Sequence, residues 1–213
     1  MNMLQPRVGI GHDTHRLVPG EGMKLGGVWV PFEKKLLGHS DADVLLHAVT
    51  DAILGAAAMG DIGELFPDID PANAGRSSIE MLRLAYAKVR EAGWVVRNLD
   101  TIVFAQRPKL SEYKTAIARK IAETLEITPQ QVNVKAKTGE GVGPVGEGLV
   151  IEAQCVAMII PTRGLTQDSL QTLTAARPLS VSSTLSAPVV TPPRAQADHC
   201  QCPVAEMKNR CSR

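Results

Sequence analysis

The chain has 213 residues, 44% of them hydrophobic, and a formal net charge of +1 at pH 7. This length and hydrophobic content are enough for a full domain core. A nearly neutral chain with 3% aromatic residues lacks the basic surface and the stacking side chains typical of nucleic-acid binding. No stretch approaches the roughly 20 apolar residues of a membrane-spanning helix, and the first residues lack the layout of a signal peptide. The composition therefore predicts a cytoplasmic protein that binds neither nucleic acid nor a membrane.

The composition of the chain changes near Pro161. Before this residue, apolar and polar residues recur with regular periods; after it, the sequence "TAARPLSVSSTLSAPVVTPPRAQADHCQCP" is rich in Ser, Thr, Pro and Ala. We therefore predict one folded domain over residues 1–160 and a disordered tail over residues 161–213. Cys155 lies alone in an apolar run and the other three cysteines lie near the carboxyl terminus, which is not the spacing of a disulfide framework.

The periodicity of apolar residues predicts the following elements in chain order. They are strands at 7–11 and 26–32, a helix that ends near residue 59, a helix at 78–92, a strand at 94–105, a helix at 111–126, and strands at 131–138 and 149–160. Ser40 is the predicted N-cap of the first helix, because Asp43 follows three residues later as in a capping box. The order β-β-α-α-β-α-β-β predicts a two-layer α/β (α+β) fold without a long Rossmann alternation.

Histidines and aspartates form two compact clusters, in "VGIGHDTHRL" and in "GHSDADVLLHAVTDAILGA". Asp13 and His15 are two residues apart, so they point to the same side of an extended segment that leaves the first strand. On the predicted helix, Asp43, His47 and Asp51 are spaced by four and share one stripe. Asp13, His15 and His47 supply three protein ligands, which is the number in a catalytic zinc site that keeps a fourth position open.

A structural interpretation of the same residues stays open at this point. A single histidine on a helix, such as His47, is more often a hydrogen-bonded core or surface residue than a metal ligand. Asp13, which is followed by Thr14, could be a turn residue. From the chemistry of the side chains alone, a metal site and a structural role are equally supported.

A glycine-rich loop, "KAKTGEGVGPVGEG", lies between the last two predicted strands. Such a loop can turn backbone N–H groups toward an anion. Glu140 in this loop indicates a cation such as Mg²⁺ between the carboxylate and phosphate oxygens, although a flexible hairpin loop would have a similar composition. In "DIGELFPDID", Asp61, Gly63 and Asp68 could bind sugar hydroxyls or could form an ordinary turn around Pro67.

Taken together, these stretches resemble the 2-C-methyl-D-erythritol 2,4-cyclodiphosphate synthases, the cyclising enzymes of the non-mevalonate isoprenoid pathway. The resemblance covers residues 7–160 and is most specific in "DTH" at 13–15, "LLGHSDADVLLHAVTDAILGAAAMGDIGELFPD" at 36–68 and "VNVKAKTGE" at 132–140. It implies a four-stranded mixed sheet with helices on one face and a short extra hairpin. It also implies a homotrimer in which each active site lies between two subunits.

The resemblance implies a phosphorus–oxygen lyase that acts on 4-diphosphocytidyl-2-C-methyl-D-erythritol 2-phosphate. The 2-phosphate attacks the β-phosphorus, CMP leaves and the cyclic 2,4-diphosphate forms. By the same resemblance, Asp13, His15 and His47 hold Zn²⁺, and Glu140 holds a Mg²⁺ or Mn²⁺ that bridges the α and β phosphates. Because the nucleophile is already an anion, positioning and charge neutralisation matter more than a general base.

The remaining implied contacts carry over residue by residue. They are His39 and Ser40 for the phosphate that moves, Asp61 and Gly63 for the ribose, Phe66 and Asp68 for the methylerythritol pocket, Ala105, Pro108, Lys109 and Leu110 for cytosine and its phosphates, and Thr138 near the α-phosphate. His39, Thr138 and Glu140 join the three zinc ligands in the implied catalytic set. The free N–H groups of a helix that begins at Ser40 would also favour an anion.

The loop after Glu140 departs from the family pattern. Lys137 and Gly139 stand where the family commonly has threonines, and the loop is shorter by about two residues and lacks a Phe and an Arg that line a central trimer cavity in the family. Two alternatives stay open, and the departures support the first of them. One is a metal-dependent phosphohydrolase on the same scaffold, which would give a linear phosphorylated product, and the other is a non-catalytic trimeric protein that binds cytidine nucleotides.

Overall fold

The computed structural model describes residues 5–67 and 69–162. Its strands are β1 (Arg7–Pro19), β2 (Met23–Leu25), β3 (Val28–Val30), β4 (Lys34–Leu37), β5 (Trp94–Phe104), β6 (Val132–Lys137) and β7 (Val150–Pro161). Its α-helices are α1 (Val44–Ala57), α2 (Ile62–Leu65), α3 (Ser78–Glu91), α4 (Lys114–Thr124) and α5 (Gly143–Gly146), with 3-10 turns at Pro71–Asn73 and Pro129–Gln131. The predicted disordered tail lies outside the described residues apart from its first two positions.

Five strands form the main sheet in the order β4-β1-β7-β5-β6. Strands β5 and β6 are parallel and the other neighbours are antiparallel, so the predicted mixed sheet in an α/β fold is confirmed. The prediction of four strands is wrong, because β4 pairs with the second half of β1 and adds an edge strand. The separate β2–β3 pair forms the predicted short hairpin.

Strand β1 is longer than its sequence pattern predicted. The prediction ended it at Gly11, where the apolar residues stop, but the strand continues to Pro19. Asp13 and His15 therefore lie inside the strand and not beyond its end. Their backbones pair with Ala153 and Ile151 of β7, so the sheet itself holds this pair of side chains in place.

The prediction that Ser40 caps the first helix is wrong. Helix α1 begins at Val44, and its N-cap is Asp43, whose Oδ1 accepts a hydrogen bond from the backbone N–H of Leu46 at 3.1 Å. The fully buried Asp43 carboxylate also accepts from the N–H groups of Gly26 at 2.9 Å and Gly27 at 2.7 Å. Asp43 thus joins the turn between β2 and β3 to the start of α1, and it does not share the predicted metal-binding stripe.

Helix α1 lies directly against β1 because two glycines let the backbones approach. A Cβ atom on Gly11 would lie 2.0 Å from the carbonyl oxygen of Ala48, and one on Gly9 would lie 2.1 Å from that of Ala52. These contacts are far shorter than a carbon atom allows. The close approach brings His47, next to Ala48 on the helix, toward the Asp13 and His15 side chains on the strand.

Among the described residues, no helix covers the face of the sheet opposite α1. The side chains of Ile10, Val8 and Val156 are 70%, 61% and 43% exposed on this face. On the other face, Ile151 and Ile159 of the same strand β7 are fully buried. The helices therefore cover one face, as predicted, and leave an apolar surface on the other. Within the described ranges, no helix is both long enough and apolar enough to cross a membrane.

Candidate functional site

Three side chains from β1 and α1 meet at one point. The Nδ1 atom of His47 lies 2.9 Å from Oδ2 of Asp13 and 3.2 Å from Nε2 of His15. The His15 and Asp13 atoms are 3.4 Å apart. The structure thus brings His47 together with Asp13 and His15, which lie 34 and 32 residues earlier in the sequence, and these atoms could hold a metal ion.

The environment of Asp13 and His15 favours the forms of these two side chains that bind metal. Burial lowers the pKa of His15, which keeps its imidazole neutral near pH 7. Burial opposes ionisation of Asp13, but the hydrogen bond with His47 and the nearby imidazoles hold the pKa of this carboxyl below its ordinary value. A carboxylate and neutral imidazoles are the ligand forms of these residues. One oxygen and two nitrogens suit a borderline ion such as zinc.

The three side chains line a cavity of about 330 Å³. The cavity also includes four residues that the sequence analysis assigned to substrate, namely His39, Ser40, Gly63 and Phe66. Asp61 is the N-cap of α2, where its Oδ1 accepts from the N–H of Glu64 at 2.8 Å, and its side chain is outside the cavity lining. Asp68 lies outside the described residues.

A second cavity, of about 710 Å³, lies at the carboxyl ends of the parallel strands β5 and β6. It contains the other predicted contacts, Ala105, Pro108, Lys109, Leu110 and Thr138. Among the described residues, none lines both cavities. Each predicted half of the site is therefore present, but one chain does not bring the two halves into a single pocket.

Glu140 lies on the loop that follows β6. Its Oε1 accepts a hydrogen bond from the Oγ1 of Thr138 at 2.5 Å. The backbone of Glu140 has a φ of +52°, which places this non-glycine residue in the left-handed region. The predicted loop after β6 is not a simple hairpin, because a short helix, α5, follows Glu140.

Several residues that line the two cavities were not predicted from the sequence. The larger cavity also contains Pro31, Phe32, Glu33 and Lys114, and the smaller one also contains Asn73 and Met81. Asp51, which was predicted to share a helix stripe with His47, lines the smaller cavity as well. Phe32 lies just after the hairpin and Lys114 begins α4, so no local motif links them to the β5–α4 loop. Ser78 was also missed, although its Oγ lies 2.9 Å from Nε2 of His47. It begins α3, where a serine is an ordinary helix-terminal residue.

Comparisons with known proteins agree with this geometry. The YgbB family matches residues 6–160. Proteins of Burkholderia mallei (strain SAVP1) and Burkholderia pseudomallei (strain K96243), both named 2-C-methyl-D-erythritol 2,4-cyclodiphosphate synthase, are each 50% identical over 154 residues, which is 72% of this chain and 95% of theirs.

Two solved structures show a similar fold. The bifunctional IspDF of Campylobacter jejuni has a TM-score of 0.72 at 40% identity; the match covers 74% of this chain and 43% of that protein, so this chain matches less than half of its length. IspF of Plasmodium falciparum, in a CDP complex, has a TM-score of 0.66 at 34% identity, with 74% and 97% covered. With the family match extending over nearly all the described residues, the chain belongs to the YgbB family.

Proposed function

We propose that the chain converts 4-diphosphocytidyl-2-C-methyl-D-erythritol 2-phosphate to 2-C-methyl-D-erythritol 2,4-cyclodiphosphate with release of CMP. It is a 2-C-methyl-D-erythritol 2,4-cyclodiphosphate synthase, as its relatives at 50% identity are named, and this activity is better supported than that of a phosphohydrolase. The observation that carries the proposal is the convergence of Asp13, His15 and His47 in a cavity that also contains His39 and Ser40.

The metal centre fits Zn²⁺. Asp13 Oδ2, His15 Nε2 and His47 Nδ1 would hold the ion, and three protein ligands leave a position for substrate. When bound, the ion would neutralise negative charge on a phosphate oxygen. The three atoms lie within hydrogen-bond distance of one another, so a bound ion would replace the protons between them and use the lone pairs set free.

His39 and Ser40 would position the phosphate that moves. Both line the smaller cavity beside His47. Because α1 begins at Val44 and Asp43 already accepts from its Leu46 amide, the helix terminus itself does not present this amide to the anion. The contact would therefore come from the side chains of His39 and Ser40, which orient the phosphate for attack.

The larger cavity would bind the cytidine diphosphate part of the substrate. Ala105, Pro108 and Leu110 would surround the cytosine, and Lys109 would contact its phosphates, with Lys137 and Lys114 adding positive charge to the same cavity. A second ion, Mg²⁺ or Mn²⁺, would be held by Glu140 near Thr138, since such ions are usually held by one or two carboxylates and phosphate oxygens. Asp61 and Gly63 would bind the ribose and Phe66, with Asp68, the methylerythritol part.

A homotrimer would complete the active site. The uncovered apolar face with Val8, Ile10 and Val156 is a surface that a soluble monomer rarely leaves in contact with water. Closed rotational symmetry would bury this face around one axis. It would also allow the smaller cavity of one subunit to adjoin the larger cavity of the next.

The domain boundary at residue 160 and the cytoplasmic location remain predictions.

The reaction is tested by ³¹P NMR of the product formed from the diphosphocytidyl substrate with Zn²⁺ and Mg²⁺ present. The expected result is two mutually coupled diphosphate resonances that appear together with CMP. Separate, uncoupled monophosphate resonances would show that water had replaced the internal nucleophile and would favour the phosphohydrolase. No release of CMP at all would leave only a nucleotide-binding protein.

A further inference from the structure

The two ring nitrogens of His47 have different surroundings. Nδ1 faces Asp13 and His15 at 2.9 Å and 3.2 Å. Nε2 faces the other way, 2.9 Å from Oγ of Ser78 and 3.0 Å from Oγ of Ser40. A neutral imidazole carries one hydrogen, on either nitrogen. The nitrogen that carries it decides whether Nδ1 has a lone pair for a metal ion.

A chain of hydrogen bonds from Asp41 through Ser78 to His47 determines which ring nitrogen carries the hydrogen. Oδ1 of Asp41 lies 2.5 Å from the Oγ of Ser78 and 3.1 Å from the Ser78 backbone nitrogen. An ionised carboxylate only accepts hydrogen bonds, so the Ser78 hydroxyl must donate its single hydrogen to Asp41. The Ser78 oxygen can then only accept from His47, which places the imidazole hydrogen on Nε2.

Asp41 is itself held in the accepting form and position. Nζ of Lys24 donates to its Oδ2 at 3.2 Å, and the two donors of Ser78 occupy Oδ1. Burial opposes ionisation of Asp41, but these hydrogen bonds hold the pKa of its carboxyl below the ordinary value. Ser78 is 1% exposed, so water does not compete for its hydroxyl.

We propose that Ser78 and Asp41 are positioning residues that hold His47 in the Nε2–H form and thereby raise the affinity of the centre for zinc. The inference rests on the proposed role of His47 as a metal ligand. Outer partners of this kind typically contribute 10–100-fold to metal affinity. The arrangement also leaves the hydroxyl hydrogen of Ser40 free, because Ser40 accepts from the Ala42 amide at 3.2 Å and need not donate to His47.

A purely structural role for Ser78 makes a different prediction. Ser78 begins α3, and Asp41 accepts from its amide, so both residues could serve only to stabilise the helix terminus. Ser77, the neighbouring N-cap of α3, makes no side-chain cap hydrogen bond. Ser77→Ala is therefore a matched control that changes the same turn without touching His47.

The test measures zinc affinity of the full chain by competition with a chelator, together with the thermal unfolding midpoint of the metal-free protein. We expect Ser78→Ala to weaken zinc binding by about 10–100-fold. Asp41→Asn should weaken it less, because the amide oxygen still accepts from Ser78. Ser77→Ala should leave the affinity unchanged. Equal zinc affinity in Ser78→Ala and the wild type would overturn the inference.

A second measurement reads the position of the hydrogen in the wild type itself. Histidine ¹⁵N NMR of the metal-free wild type, with the His47 signal assigned by its loss in His47→Gln, should show a hydrogen on Nε2. A neutral form with its hydrogen on Nδ1 alone would overturn the inference. A wild type that binds no zinc at all would instead contradict the proposed metal centre, so the two failures are distinguishable.

Discussion

The two cavities of the chain differ in how their side chains are held. Around His47, hydrogen bonds run between elements that are far apart in sequence, from β1 to α1 and from α1 to the start of α3. At the larger cavity, the lining residue Thr138 donates from its side chain to Glu140, which is only two residues away on the loop after β6. The side chains of the proposed metal centre are thus held by contacts across the fold of one chain, whereas the bond between Thr138 and Glu140 is local.

This difference indicates that the two cavities have separate roles, one in metal binding and one in nucleotide binding. A zinc centre needs ligands held at fixed separations before the ion arrives. A surface that must close on a nucleotide against a neighbouring subunit can stay open until both partners are present. Substitutions at the metal centre should therefore lower zinc affinity even in a single chain. Substitutions on the uncovered sheet face should affect assembly, and those in the larger cavity should affect nucleotide binding, in both cases without loss of zinc.

The largest effect is expected from His47→Ala. The substitution removes one of three ligands, so zinc affinity and the rate of CMP release should both fall by more than the roughly 100-fold upper range for an outer partner. Metal analysis and a CMP-release assay would measure this. Nucleotide binding in the larger cavity should remain. If zinc bound to the variant with wild-type affinity, His47 would not be a ligand.

The next effect concerns assembly. Ile10→Asp places a charge in the uncovered apolar face, where the side chain is 70% exposed in the single chain. We expect sedimentation equilibrium to show trimers of the wild type and single chains of the variant, with CMP release lost and zinc retained. Ile69→Asp is the control, because Ile69 is 93% exposed but lies outside the sheet. Unchanged trimers in Ile10→Asp would contradict the proposed interface.

Gly11→Ala should disturb the spacing between β1 and α1. The added Cβ would lie 2.0 Å from the carbonyl oxygen of Ala48, and forced displacement of packed elements typically costs about 1–3 kcal/mol or more. Urea unfolding should show this loss, and zinc affinity should fall with it. Gly55→Ala on α1, where the nearest atom is 3.9 Å away, should be neutral or stabilise by up to about 1 kcal/mol.

Lys109→Ala should have the smallest effect. Loss of a charged contact to phosphate should weaken binding of CDP by about 10-fold, equivalent to about 1.4 kcal/mol, with zinc affinity unchanged. Isothermal titration of CDP into the zinc-loaded protein measures this. Lys88→Ala, on the exposed side of α3, is the control for a general loss of positive charge. Equal weakening of CDP binding in both variants would mean that Lys109 acts only through the overall positive charge of the protein and not through a contact with the phosphates.

The metal ligands could be predicted because their spacing is short. The separation of Asp13 and His15 by two residues suits any extended segment, and the structure confirms that they point together. For His47, the side-chain chemistry alone left a ligand and a structural role equally supported, since periodicity does not say which strand a helix faces, and the resemblance favoured the ligand. Ser78 could not be found, because it lies 31 residues from His47 and nothing in its local sequence differs from an ordinary helix start.

The errors in the fold also have physical causes. Strand β4, with the sequence KKLL, is too short for alternation to show and is stabilised by its pairing with β1. Ser40 was assigned as the N-cap because serine is a common cap, but Asp43 is three residues closer to the helix and is supported by the two hairpin amides. Contacts from a distant hairpin decided this boundary, and such contacts are not visible in a local pattern.

The position of β7 has a consequence for how the protein is made. It is the last strand of the described residues, yet it lies in the middle of the sheet between β1 and β5. During synthesis, the segment that carries Asp13 and His15 therefore has no pairing partner until Ile151 and Ala153 of β7 have left the ribosome. If the proposed zinc centre forms, its loading would for this reason be a late event, which follows the pairing of β1 with β7 and does not guide the first folding steps.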